Sequence, residues 1–223
     1  MRNPLYRHAD FRRLWAGQTI SQFGSQVSNL ALPLIAVLAL KASAFKVSAL
    51  GAVELLPWLL FALPAGAWID RVARRPVLVA ADAGRALALG SLPIAAAVAH
   101  VTYAQLCVVG FATGVLTVFF DVAYQSILPA IVERDQLADG NAKLEISRSI
   151  AQTAGPGIGG LLVQLIGAAS AITADAASFV GCAFLIRSIR AEEPPVERAD
   201  QNTTRVRALL GEIREGLSYV LRH

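Results

Sequence analysis

Several charged side chains fall inside long apolar runs of this sequence: Glu54, Asp82, Arg85, Asp121 and Asp175. An ionised group is costly in hydrocarbon, so such residues face a wet cavity, pair with one another or carry protons. Glu54 and Asp175 are candidate proton-coupling groups. A carboxylate in a partly apolar cavity can be neutral in one conformation and ionised in another. Static hydrogen bonding inside a helix bundle is the alternative for both. Asp82 and Arg85 stand at i and i+3, on one face of a helix, and read as an intramembrane pair. A separate cluster closes an apolar run: Gly66-Ala-Trp-Ile-Asp70-Arg71-Val-Ala-Arg74-Arg75. It sets one carboxylate before three arginines, and Pro76 opens the next run, where a missing N–H costs little.

No other chemistry is indicated. Cys107 and Cys182 lie in apolar runs and read as small hydrophobes. His8, His100 and His223 are far apart. A His-Glu-x-x-His helix, a Gly-x-Ser-x-Gly turn and a Gly-x-x-x-x-Gly-Lys-Ser/Thr phosphate loop are all missing, so no enzyme, metal or cofactor is expected.

The elements that must hold these residues are membrane helices. The chain has 223 residues, of which 55% are hydrophobic and 16% charged, with a mean hydropathy of +0.53. A soluble domain carries about a quarter charged residues. The net charge of +4 would suggest nucleic acid in a soluble protein. Here the arginines sit at segment ends with no aromatic-interleaved basic patch, so no nucleic-acid partner is expected. The start, Met1 to Arg13, is polar and basic, and the apolar run behind it is too long for a cleavable signal peptide.

The pattern predicts an all-α, polytopic fold. A cytoplasmic N-terminus covers 1–14, a six-helix transmembrane bundle 15–189, and a cytoplasmic segment with an amphipathic helix 190–223. The first helix, from about residue 15 to Leu40, carries Gln18, Ser21, Gln22, Ser25, Gln26 and Asn29 on one face. That many polar groups exceed what one helix seam needs, so the face lines a cavity. The second runs from about Val47 to Ile69 and the third from Pro76 to about Ala99. The fourth, about Thr102 to Ala123, aligns Gly110, Thr113, Thr117, Asp121 and Tyr124. A polar loop from Glu133 to Asn141 precedes the fifth, about Leu144 to Ile166, and the sixth covers about Ala169 to Ile189. Phe119, Phe120 and Trp58 are possible apolar contacts for a cavity occupant. In the tail, Val206, Leu209, Leu210, Ile213, Leu217, Val220 and Leu221 recur at helical spacing. Of the 20 Lys and Arg residues, only Lys41 and Lys46 fall at the opposite ends of the helices from the rest, Arg85 within a span apart. The positive-inside rule then puts both termini in the cytoplasm, in the cell (inner or plasma) membrane.

The loop Gly66-x-x-x-Asp70-Arg71-x-x-Arg74-Arg75 resembles the signature loop of the major facilitator superfamily, with Ala73 where that pattern usually has glycine. Phe11-Arg-Arg-Leu-Trp15-x-Gly-Gln18-x-x-Ser21-x-x-Gly24 is similar to the opening of its macrolide-efflux and enterobactin-exporter branch. So is Asp175-Ala-Ala-Ser178-Phe179. Ala142 to Leu162, ending in Gly155-Pro156-x-x-Gly159-Gly160, resembles the second half of the antiporter signature, with alanine at 142 and 151 in place of its upstream glycines. The resemblance implies the N-terminal six-helix half of a twelve-helix secondary transporter that exports amphipathic small molecules such as drugs or siderophores. Protons are the implied coupling ion, and a second six-helix half, from the same gene product or a separate chain, is the implied partner beside the bilayer. It also makes Gly66, Asp70, Arg71, Arg74 and Arg75 a cytoplasmic gate latch, with Asp121 as a possible partner of the loop arginines. Gly155, Pro156, Gly159 and Gly160 are either a hinge in helix 5 or a small-residue packing surface. The cavity is expected to involve Gln18, Gln22, Ser25, Gln26, Asn29, Thr113 and Thr117. The rival reading is an orphan six-helix membrane protein that acts as an interaction partner without transport.

Overall fold

A computed structural model of the chain describes residues 5, 8–98 and 100–191. Six α-helices account for nearly all of them: α1 Ala9–Leu34, α2 Ala44–Ile69, α3 Arg74–Val98, α4 Tyr103–Ile131, α5 Leu137–Ile166 and α6 Ala168–Arg187. A π-helical turn, Ile35–Ala39, extends α1, and a 3-10 turn, Arg134–Gln136, precedes α5. Five of the helices are long and apolar enough to cross a membrane, α5 being the exception. Its first half carries Lys143, Glu145 and Arg148. Proline inside α1 to α5 is tolerated where neighbouring helices re-satisfy the freed backbone. The expected amphipathic tail helix lies outside the described residues, as do residues 1–4, 6 and 7 of the basic N-terminal lead.

Helix limits differ from the sequence expectation where polar residues extend a helix beyond its apolar run. α1 starts at Ala9, six residues before the expected start, because Phe11 and Leu14 are fully buried and Asp10 occupies the first turn. α4 continues to Ile131 and α5 begins at Leu137, so Asp139, Gly140 and Asn141 are helical. Ile127, Leu128, Ile131 and Leu144 belong to one buried cluster with Phe11 and Leu14. That burial outweighs the turn-like composition around Gly140. α3 begins at Arg74, which leaves Pro76 still in the first turn, where its missing N–H has no helical partner to lose.

The helices pack in the order α2, α4, α3, α6, α1, α5, each against the next. Exchanging α1 with α4, α2 with α5 and α3 with α6 maps this packing onto itself: α1–α6 becomes α4–α3, and α2–α4 becomes α5–α1. Three antiparallel helices per triplet make the two triplets run in opposite directions, the arrangement of an inverted repeat. Hydrogen bonds fix which ends lie together. Asp10 at the start of α1 accepts the N–H of Arg190 at 3.2 Å and of Ala191 at 2.8 Å, just beyond α6. Arg75 at the start of α3 donates to the Ala191 carbonyl. At the opposite end, the Tyr103 hydroxyl donates to the Lys46 carbonyl at 2.7 Å. The α5–α6 connection there is the single residue Gly167, whose φ of 83° suits glycine.

Two seams depend on glycine for close backbone approach. On α4, a Cβ at Gly114 would stand 2.8 Å from both the Glu54 carbonyl oxygen and Pro57 Cγ of α2. On α5, a Cβ at Gly159 would stand 3.2 Å from Val27 Cα of α1, and one at Gly155 would strike the Gln26 side chain. The outer faces are apolar, with Leu59 of α2 83% exposed and Phe184 of α6 71% exposed. They present hydrocarbon to lipid. Gly114→Val and Gly159→Val are each expected to destabilise the bundle by about 1–3 kcal/mol, because the obstructing atoms are backbone or proline ring. Gly157→Ala, at a site open on all sides, should leave stability unchanged or slightly improved. Melting of the detergent-solubilised protein followed by tryptophan fluorescence distinguishes the two groups.

Candidate functional site

The packing order leaves α1 and α5 on one side and α2 and α4 on the other, with α3 and α6 behind them. The space between is a cavity of about 1230 Å³. α1 contributes the polar stripe read from sequence: Gln18, Gln22, Ser25, Gln26 and Asn29 all line it, with Ser21 and Ser28. Thr113, Thr117, Asp121 and Tyr124 line it from α4, and Glu54, Leu55 and Trp58 from α2. The back wall is Arg85 and Leu89 of α3 with Asp175 and Phe179 of α6. The lining is therefore mixed, with hydroxyl, amide and carboxylate groups set among aromatic and aliphatic ones.

Arg85 is the most constrained of these side chains. It is 4% exposed, and Asp82, one turn earlier, is fully buried. Arg85 donates to the Asp82 carboxylate and lies 3.5 Å from the Thr117 hydroxyl. Its guanidinium carbon sits 4.3 Å from the ring centre of Phe120 and 4.2 Å from that of Phe179. A cation between two desolvated rings gains on the order of 1–2 kcal/mol from each. Asp82 does not line the cavity; it anchors Arg85 from behind. Asp175 is held by its own helix: the Ser178 hydroxyl lies 2.8 Å from the Asp175 carbonyl and 3.2 Å from its carboxylate. A Cβ at Gly24 would stand 2.6 Å from that carboxylate, so α1 lies close against α6 beside it.

Other polar atoms in the wall are buried without a partner among the described residues: Gln18 Oε1, Glu54 Oε1, Thr113 Oγ1 and Tyr124 OH. Buried polar groups without partners are costly, so this wall is suited to water or to a ligand with hydrogen-bonding groups. Glu54 lies over α4, since a Cβ at Gly110 would stand 3.0 Å from its Cγ.

Residues 3–222 match the model of the transmembrane secretion effector family of the major facilitator superfamily. The chain belongs to this family. Among curated relatives, it is 29% identical over 203 residues to the multidrug efflux pump Tap of Mycolicibacterium fortuitum, covering 88% of this chain and 48% of that protein. It is 26% identical over 234 residues to the uncharacterized MFS-type transporter YkuC of Bacillus subtilis, with 98% and 51% covered. Macrolide efflux protein A of Streptococcus pyogenes is 25% identical over 155 residues, with 70% and 38% covered. The chain spans about half the length or less of these relatives. Family membership and the apolar helices make it a multi-pass membrane protein of a transporter family.

Within this major facilitator chain, the residues singled out from sequence fall into three places. Glu54, Asp121, Asp175 and Arg85 converge on the cavity with the α1 stripe and the α4 threonines. Asp121 lines the cavity from α4, as do Arg85 from α3 and Arg148 from α5. Gly66, Asp70, Arg71, Arg74 and Arg75 lie apart, at the end of the bundle that holds the α2–α3 connection. Asp70 and Arg71 are exposed, while Arg74 and Arg75 are half-buried. Gly155, Pro156, Gly159 and Gly160 lie within a continuous α5. Gly155 and Gly159 face α1, where they form a packing seam, and Pro156 faces outward. Trp58 lines the cavity, but Phe120 lies behind Arg85 and Phe119 packs edge-on against Trp68 at 5.5 Å.

Sequence reading missed the α5 wall: Asn141, Glu145, Arg148 and Gln152. Their spacing of four, three and four residues is a helical stripe, legible once α5 is extended upstream to Leu137. Asp82→Ala leaves the Arg85 charge buried and uncompensated, and is expected to destabilise the protein by about 3–5 kcal/mol. Asp82→Ala combined with Arg85→Met should recover most of that loss. Thermal melting of the three proteins in detergent checks it, and equal melting of the single and double variants would contradict the pairing.

Proposed function

We propose that this chain is the N-terminal six-helix half of a secondary transporter that exports amphipathic small molecules, driven by protons. The observation that carries this reading is the cavity: large enough for a drug-sized molecule, mixed in lining, and bounded by helices of both inverted triplets. Relatives named as efflux pumps support export. The coverage of about half of each relative supports a second six-helix half as partner, which a rocking mechanism around a central site requires.

Glu54 and Asp175 are the coupling carboxylates in this reading. Both lie in the cavity wall, on different helices, where a change of hydration alters the free energy of the ionised form. Asp70 with Arg71, Arg74 and Arg75 forms the gate latch. Its exposed position at one end of the bundle leaves Asp70 and Arg71 accessible to another half. Both termini are cytoplasmic, because the loop arginines and the Asp10–Arg190 end lie together and carry most of the positive charge. The membrane is the plasma membrane.

Cells lacking their major efflux pumps, loaded with ethidium, test this. Chain expressed with a second six-helix half should extrude the dye when energised and stop when a protonophore is added. Glu54→Gln and Asp175→Asn should each reduce extrusion to background at equal expression. Extrusion that persists in both variants and in the presence of protonophore would sink the coupling assignment. Asp70→Asn should slow extrusion while leaving dye binding to the purified protein intact.

A further inference from the structure

Arg85 has a relation to the cavity that its pairing with Asp82 does not exhaust. Asp82 holds it from behind, and the rings of Phe120 and Phe179 clamp it from α4 and α6. Phe120 adjoins Asp121, and Phe179 follows Asp175 by one helical turn. The contacts that fix the guanidinium therefore also fix where it stands relative to both cavity carboxylates. All three groups line the same cavity. The other charged groups lining the cavity are Glu54 of α2 with Glu145 and Arg148 of α5. Carboxylates thus outnumber cations in the wall, and Arg85 is the cation built into its back.

We propose that Arg85 is the cavity's resident counter-ion: immobile between its rings, it offsets Asp121 and Asp175 and thereby sets how strongly the cavity prefers a cationic occupant over an uncharged one of the same shape. The inference rests on the reading of the cavity as a substrate site. A positively charged head group entering the cavity meets carboxylates whose field Arg85 has already reduced. Removing that one charge leaves the carboxylates in place and strengthens their pull on a cation. An uncharged molecule of equal bulk has no such term. Arg85 is in this sense a specificity-setting residue that need not touch the ligand. Lysine at this position would keep the charge, with a poorer fit between the rings.

The test measures binding of two probes to the purified polypeptide in detergent by equilibrium dialysis: tetraphenylphosphonium, a permanent cation, and triphenylphosphine oxide, its uncharged counterpart. Arg85→Gln is expected to bind tetraphenylphosphonium on the order of tenfold more tightly, with triphenylphosphine oxide changed by less than about twofold. Arg85→Lys should keep the wild-type ratio of the two affinities. If Arg85→Gln does not yield folded protein, Asp82→Asn/Arg85→Gln, which leaves neither member of the pair charged, is compared with wild type, and a ratio of the two affinities no more favourable to the cation than wild type's overturns the proposal. An unchanged ratio in the glutamine variant overturns the proposal, as does a lysine variant that behaves like glutamine. Wild-type protein that binds neither probe overturns the reading of the cavity itself, and this inference with it.

Discussion

A guanidinium halfway along a membrane helix must be neutralised and desolvated where it stands, and the rest of this bundle is arranged around that requirement. Arg85 has Asp82 on its own helix, a ring from α4 and a ring from α6. Breaking such a pair by removing one member is far more costly than never having it, because the survivor is left charged and dry. α3, α4 and α6 are thereby held at one mutual spacing, the three helices that form the back of the bundle. The pair defines a register as much as it adds stability.

What that back wall leaves in front is decided by glycine. α2 reaches α4 over Gly110 and Gly114, and α5 reaches α1 over Gly155 and Gly159. In a membrane no hydrophobic effect separates helix from lipid, so backbone proximity and packing select the partner. Two tight seams on opposite sides pin α2 and α5 to the flanks, and the polar stripes of α1 and α4 are left facing open space between them. The cavity follows from where the small residues are, not from any one polar residue. The same exchange of helices that relates the two seams also relates α1 to α4, so each inverted triplet contributes one polar stripe.

Much of this was legible in the sequence, for a physical reason. The α1 stripe repeats at helical spacing within an apolar context, and all five of its residues singled out as cavity-lining face the cavity. Asp82 and Arg85 were legible because i and i+3 is a local relation. The aromatic clamp was not, since Phe120 and Phe179 come from other helices and nothing in their own segments marks them. The junction of α4 and α5 was misread for a different reason. Asp139, Gly140 and Asn141 have turn-like chemistry, yet tertiary burial of Ile131, Leu144 and their neighbours carries the helices through. Losing those turns hid Glu145 and Arg148 from the site. The glycines of α5 were legible as an unusual cluster, but that two of them lie against α1 is a tertiary relation that their own segment does not mark.

The end of the bundle that carries the loop arginines shows how one residue serves several constraints at once. Arg75 lies where positive charge orients a helix hairpin, and it also donates to the Ala191 carbonyl just beyond α6. Asp10 receives the two N–H groups at that same point, satisfying backbone donors that lie beyond the end of α6. The chain leaving α6 is thus fastened to the first turns of α1 and α3 together. Any movement of the α2–α3 connection that carries Arg75 with it must either move the residues after α6 or break this hydrogen bond. The loop and the segment that follows the bundle are therefore mechanically linked through Ala191, whatever else the arginines contact. A surface loop whose sequence reads as a simple topology signal is, in three dimensions, tied to the two places where the bundle begins and ends.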